Sequence, residues 1–137
     1  MPEITGGCLC GEVRYSANAE PVFTGVCHCR DCQKFGGSAF AVVVAIPKDA
    51  FTVQGNLSAF SKPGDSGQLI ERRFCPDCGS AICDEASVMP GVVMIAVGSL
   101  DDPSWVTPAM QIYCDSAQPW VQLGGGLQSF PKMPMPG

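Results

Sequence analysis

The sequence predicts a mainly β fold with little helix. Short segments rich in Val, Ile, Phe and Ala recur along the chain and are bounded by turn residues. Gly (16) and Pro (12) are plentiful but spread out, so they mark tight turns rather than a disordered tract. Extended helical periodicity is missing, and the one helical candidate is a short stretch around Asp31–Phe35.

The elements follow in chain order. Glu12-Val13-Arg14-Tyr15-Ser16 alternates in polarity and reads as a strand. Ser38–Ile46 is a continuous apolar run ending at Pro47, the pattern of a buried central strand. Phe51–Gln54 and Leu57–Ser61 flank Gly55-Asn56 and read as a hairpin. Leu69–Phe74 runs as a strand into a pair of cysteines, and Ser80–Glu85 leaves it as another. Val92–Val97 is β-branched, and Ala109–Cys114 is a further short strand. The tail from Gly124-Gly125-Gly126 to Phe130-Pro131-Lys132-Met133-Pro134 reads as an irregular segment lying on the sheets. Trp120, Leu123, Leu127 and Phe130 give it apolar surface to bury.

The chain has 137 residues, one domain's worth, and 46% of them are hydrophobic, which is ordinary for a globular core. Net charge is −5, and the only basic doublet is Arg72-Arg73. A nucleic-acid partner would need a basic stripe to displace counterions, so none is expected. No stretch approaches the roughly 20 apolar residues of a membrane helix, so no membrane partner is expected either. The start, Met1-Pro2-Glu3-Ile4-Thr5-Gly6-Gly7, lacks a basic then apolar leader, which points to the cytoplasm.

Cysteine is the unusual component, with nine in the chain. In a reducing compartment this density favours metal binding, and an odd count fits a disulfide framework poorly. Three clusters hold most of them: Gly7-Cys8-Leu9-Cys10-Gly11, Cys27-His28-Cys29-Arg30-Asp31-Cys32, and Cys75-Pro76-Asp77-Cys78-Gly79. The last has the form of a zinc knuckle, in which the backbone curls round the metal and the trailing Gly relieves crowding. A knuckle supplies two of the four ligands zinc prefers. Cys8 and Cys10 can complete it, leaving Cys27, Cys29 and Cys32 as a second set. Alternatively Cys29 and Cys32 can face Cys75 and Cys78 as a ribbon, leaving Cys8, Cys10 and Cys27 over. Spacing does not decide, although Cys27, Cys29 and Cys32 can converge from one tight loop. The difference matters because four protein ligands close a site, whereas three leave a position for a substrate. A thiol bound there would be acidified to a nucleophilic thiolate. If both sets are structural, the chain is instead a non-enzymatic zinc-stabilised binding module.

Other residues carry simpler readings. His28, the only histidine, faces away from the metal if Cys27 and Cys29 ligate, because neighbours point in opposing directions. Cys83 and Cys114 sit in apolar strands and read as buried, inert thiols. Gly36-Gly37-Ser38 is either a turn into the next strand or a point of close backbone approach to a ligand. Arg30, Arg72 and Arg73 read as solvated or structurally paired.

At these residues the chain resembles the glutathione-dependent formaldehyde-activating enzyme family, which includes centromere protein V. The resemblance runs from Gly6-Gly7-Cys8-Leu9-Cys10-Gly11-Glu12-Val13-Arg14-Tyr15, through Cys27 to Phe40, to Arg73-Phe74-Cys75-Pro76-Asp77-Cys78-Gly79-Ser80. Pro119-Trp120 and Phe130-Pro131 are similar to the family's C-terminal part. The resemblance implies a single zinc-binding domain over residues 1–137, with several curled antiparallel β-sheets of the β-tent type around the zinc sites. It implies two zincs, one structural on Cys8, Cys10, Cys75 and Cys78, and one catalytic on Cys27, Cys29 and Cys32. It implies a carbon–sulfur lyase that condenses glutathione with formaldehyde. Gly36, Gly37 and Phe40, just after the second cluster, are read as candidates to line the pocket for thiol and aldehyde. One departure is visible: relatives often carry His in the late strand where this chain has Gln111.

Overall fold

The structure, a computed structural model, describes residues 3–134. Residues 1–2 and 135–137 of the expected domain lie outside the described residues. Among the described residues eleven strands and one α-helix follow one another. They are β1 (Glu3–Gly7), β2 (Arg14–Asn18), β3 (Phe23–Cys27), α1 (Arg30–Gly36), β4 (Ala41–Pro47) and β5 (Phe51–Gln54). Then come β6 (Ser58–Pro63), β7 (Leu69–Phe74), β8 (Ala81–Ala86), β9 (Val92–Ala96), β10 (Met110–Ile112) and β11 (Gln128–Ser129). The mainly β expectation with little helix therefore holds.

The strands form two sheets. A small one has the order β1-β2-β5, and a large one the order β11-β10-β3-β4-β9-β8-β7-β6. Pairing is antiparallel except at one end of the large sheet, where β10 runs parallel to both β3 and β11. Along β2 the alternation read from sequence is realised: Tyr15 and Ala17 point into the core while Arg14, Ser16 and Asn18 face out. The apolar run of β4 is central, between β3 and β9, with Val44, Ala45 and Ile46 fully buried. Ile4 and Tyr15 of the small sheet meet Val44, Ile46, Ile82, Val93 and Ile95 of the large one in a common core. Cys8 and Cys75 belong to that core. Among the described residues no helix is long and apolar enough to cross a bilayer.

The hairpin expected around Gly55-Asn56 does not form. Its first strand, β5, pairs with β2 in the small sheet, and its second, β6, pairs with β7 in the large one. Burial decides this. Phe51 and Val53 pack against the core beside Tyr15, with the Phe51 and Tyr15 rings 5.4 Å apart, so β5 is held to β2. Gly55 carries the crossing in a left-handed conformation, φ 98°, and a Cβ there would collide with the Glu12 carbonyl. Gly55→Ala is therefore expected to cost more than about 2 kcal/mol, from strain plus collision, as read by urea denaturation.

Three strands escape sequence reading. β1 and β3 contain Gly6, Gly7 and Gly25, which weaken any strand signal. Gly25 is there for close approach, since a Cβ would meet the Met110 side chain at 3.3 Å across the parallel β3–β10 pair. β11 has only two residues. In the tail Leu123, Leu127 and Phe130 are half-buried as expected, but Trp120 is not: it is 72% exposed. The tail reaches the large sheet through β11 and Phe130, and Trp120 precedes that contact in a turn.

Candidate metal centres

The first cluster is built by two facing turns. After β1 the chain reverses through Cys8-Leu9-Cys10-Gly11, with the Gly11 N–H donating to the Cys8 carbonyl at 3.2 Å. Between β7 and β8 it reverses through Cys75-Pro76-Asp77-Cys78-Gly79, with the Gly79 N–H donating to the Cys75 carbonyl at 2.8 Å. Gly79 takes the left-handed conformation, φ 79°, that closes the knuckle. Ser80 joins the turns: its Oγ accepts from the Leu9 N–H at 3.0 Å and lies 3.2 Å from Cys78 Sγ. Hydrogen bonding to Ser80 pulls the Cys78 thiol down to about 6. All four sulfurs lie within 4.8 Å of one another, with Cys8–Cys10 at 3.5 Å and Cys10–Cys75 at 3.8 Å.

The second cluster is built where β3 meets α1. Cys27 is the last residue of β3, Cys29 caps α1, and Cys32 lies in its first turn. The Cys29 sulfur accepts from the Cys32 N–H at 3.2 Å, the role an oxygen plays in most N-caps. Cys27 and Cys32 sulfurs are 3.4 Å apart, and all three lie within 4.8 Å. Hydrogen bonds from Cys27 and Cys32 push the Cys29 thiol down, while its bond to Cys29 pushes Cys27 up.

His28 turns away from the sulfurs. It is 1% exposed, its Nε2 lies 2.8 Å from Gln111 Oε1, and its ring packs 5.8 Å from that of Phe40. Gln111 Nε2 donates to Ser129 Oγ, so its Oε1 accepts and His28 carries its proton on Nε2. The His28 backbone N–H donates to the Ile112 carbonyl, and buried Gln33 donates to the His28 carbonyl at 2.6 Å and to the Ser116 carbonyl at 3.1 Å. The sulfur-bearing loop is therefore gripped on its far side by β10, α1 and the segment after β10.

Both sulfur sets fit zinc. Four thiolates at about 2.3 Å from a tetrahedral ion stand about 3.8 Å from one another. The sulfur separations of 3.4, 3.5 and 3.8 Å already approach that spacing. A disulfide would need about 2 Å, and all nine cysteines are free. The structure also resolves the two pairings that spacing left open. Cys75 and Cys78 face Cys8 and Cys10, not Cys29 and Cys32.

The sequence pattern described as glutathione-dependent formaldehyde-activating enzyme matches residues 3–116, which contain both clusters. The chain belongs to that family. A relative from Penicillium rubens is 29% identical over 104 residues, covering 74% of this chain and 54% of its own length. One from Talaromyces marneffei is 31% identical over 84 residues, covering 58% of this chain and 44% of its own. Both bear the name "Putative glutathione-dependent formaldehyde-activating enzyme". The chain spans about half the length of these curated relatives. A crystal structure of a Rhodobacter sphaeroides protein superposes with a TM-score of 0.58 at 22% identity, covering 76% of this chain and 91% of that one, a likeness of fold.

In this glutathione-dependent formaldehyde-activating enzyme family member, α1 separates two clefts. One of about 410 Å³ is lined by Arg30, Lys34, Gly37, Gln118 and Trp120. The other, of about 680 Å³, is lined by Phe35, Gly36, Phe40, Asp84 and Ser99. Gly36 and Phe40 thus share a cleft, and Gly37 lines its neighbour. Gly37 also ends α1, with φ 70° and its N–H donating to the Gln33 carbonyl at 2.9 Å. A Cβ on Gly36 or Gly37 would meet nothing within 4 Å, so neither glycine is there for close backbone approach within the chain.

Several residues around the three sulfurs carry no sequence signal. Gln33 looks like an ordinary helix surface residue, yet it is buried. Asp84 is pushed up to about 6 by burial, against the pull of Arg72. Tyr113 adopts φ 55°, rare for a bulky residue, and burial, Asp65 and the Cys27 and Cys29 thiols push it up to about 12. Arg73 pairs with Glu71 and Glu85, as expected of a structural arginine. Arg72 does not: it is buried beside the second cluster.

Proposed function

We propose that this family member is a zinc-dependent carbon–sulfur lyase. It adds a thiol such as glutathione to formaldehyde or another small aldehyde, and runs the reverse reaction. The observation that carries this is the ligand count: three sulfurs converge at Cys27, Cys29 and Cys32, apart from a set of four at Cys8, Cys10, Cys75 and Cys78. Cys8, Cys10, Cys75 and Cys78 would hold a structural zinc, and Cys27, Cys29 and Cys32 a catalytic one. Zinc on three thiolates supplies an open position at which a substrate thiol becomes a thiolate at neutral pH.

The chain's own residues hold that position in place. Cys29 caps the helix with the same sulfur it offers the metal, so helix and ligand geometry are fixed together. Gln33 and the His28–Gln111 bond clamp the loop from behind. Gly36, Gly37 and Phe40, the proposed pocket residues, border clefts on either side of α1; neither cleft is lined by Cys27, Cys29 or Cys32, and the larger also touches Cys8. In the reaction the sulfur bonds the aldehyde carbon, the carbonyl π pair moves to oxygen, and the thiol's proton ends on that oxygen. We take residues 1–137 as one zinc-binding domain acting in the cytoplasm, where free thiols persist. Its partners are small molecules, and the net charge of −5 disfavours nucleic acid.

The test is exchange of glutathione and formaldehyde with S-hydroxymethylglutathione, followed by NMR with zinc-loaded protein. Exchange faster than in protein-free solution is expected. An unchanged rate with both zincs bound overturns the activity and leaves the zinc-stabilised binding module.

A further inference from the structure

Arg72 lies beside the second cluster, and the chemistry so far does not use it. It is 5% exposed, and it is the only buried cation among the described residues. Its Nε has no hydrogen-bond partner. Arg73 next to it is neutralised by Glu71 and Glu85, but among the described residues no carboxylate lies within ion-pair distance of Arg72. Its cross-strand neighbour in the β7–β8 register is Asp84, which is near enough to be felt but does not bond it. Arg72 shares a face of β7 with Phe74, whose ring packs 6.3 Å from that of Phe35 on α1, so its guanidinium lies toward the helix that starts at Cys29 and carries Cys32. The Cys32 and Cys29 sulfurs act on it electrostatically.

A buried guanidinium that no carboxylate bonds is unfavourable unless another group compensates its charge. Three thiolates around one divalent ion leave one net negative charge, and one guanidinium cancels it. We propose that Arg72 is a positioning residue of the three-cysteine site: a buried counter-charge that holds Cys29 and Cys32 in place and makes the loop retain its zinc. This rests on the metal reading of Cys27, Cys29 and Cys32. It also gives β7 a double role, because the strand presents Arg72 to one cluster and leads directly into Cys75 of the other.

The experiment measures zinc retention against a colorimetric chelator in the full chain, with Cys29→Ser marking which zinc belongs to the loop. Arg72→Leu is expected to weaken the loop zinc by roughly ten- to a hundredfold, as loss of an outer partner typically does, and to leave the four-cysteine zinc unchanged. Arg72→Lys keeps the charge and is expected to retain the loop zinc better than Arg72→Leu. A merely structural arginine predicts otherwise, because its loss would then lower the stability of the fold without singling out the loop zinc. Unchanged retention of both zincs, or equal loss of both, overturns the inference. If Arg72→Leu does not fold, Arg72→Gln against Arg72→Lys gives the same comparison, and equal loop-zinc loss overturns it. A wild-type chain that holds one zinc, unaffected by Cys29→Ser, overturns the metal reading itself, a result distinct from failure of Arg72 alone.

Discussion

Cys75→Ser is expected to unfold the chain. Cys75 is fully buried in the core between the sheets, and its sulfur stands 3.8 Å from that of Cys10, 65 residues upstream. The four-cysteine set therefore joins the turn after β1 to the turn between β7 and β8, one from each sheet. Structural zinc binding is worth about 10–16 kcal/mol in small domains, as large as the roughly 5–15 kcal/mol of net stability a domain has. Serine is a poor zinc ligand, and its hydroxyl would lie in a core without an assured partner. Circular dichroism and zinc content measured together check this. A folded Cys75→Ser protein whose midpoint temperature falls by only a few degrees would show that the sheets hold together without the metal.

Cys29→Ser separates catalysis from folding. Serine is among the best helix N-caps, so its oxygen is expected to take over the bond the Cys29 sulfur accepts from the Cys32 N–H. The helix start should survive, while the second cluster keeps only Cys27 and Cys32. Zinc per chain is expected to fall from two to one, and exchange activity at least about a hundredfold, with stability changed by about 1 kcal/mol. Two zincs and undiminished activity in Cys29→Ser would remove the three-cysteine site from the mechanism. With Cys75→Ser, this substitution sorts the two clusters by consequence: one by loss of fold, the other by loss of reaction.

The strands legible in sequence were those whose side chains decide their own burial. β7 matches its expected bounds because Leu69–Phe74 carries strand-forming residues up to the knuckle. β4 announces itself through an apolar run buried on both faces. β1 and β3 stayed hidden because the glycines that let them pack closely are the residues that erase a strand pattern. The false hairpin has a related cause. Gly-Asn between two strand-like segments is a local turn signal, but β5 finds Tyr15 on β2 and β6 finds β7, and those contacts outweigh the turn.

By itself the sequence determined that the chain is mainly β, that its cysteines come in metal-binding spacings, and that its family is recognisable from three ordered motifs. These are properties of neighbours along the chain, where two residues between cysteines or a glycine after them fix what a turn can do. Only the tertiary structure decided which turns face each other. Cys75 and Cys78 meet Cys8 and Cys10 because the two sheets close over a shared core, and that closure leaves Cys27, Cys29 and Cys32 as a separate set of three. It also decided what surrounds them. Arg72, Gln33 and Gln111 reach the loop from separate segments, and a buried charge or amide shows its partner only once the chain has folded around it.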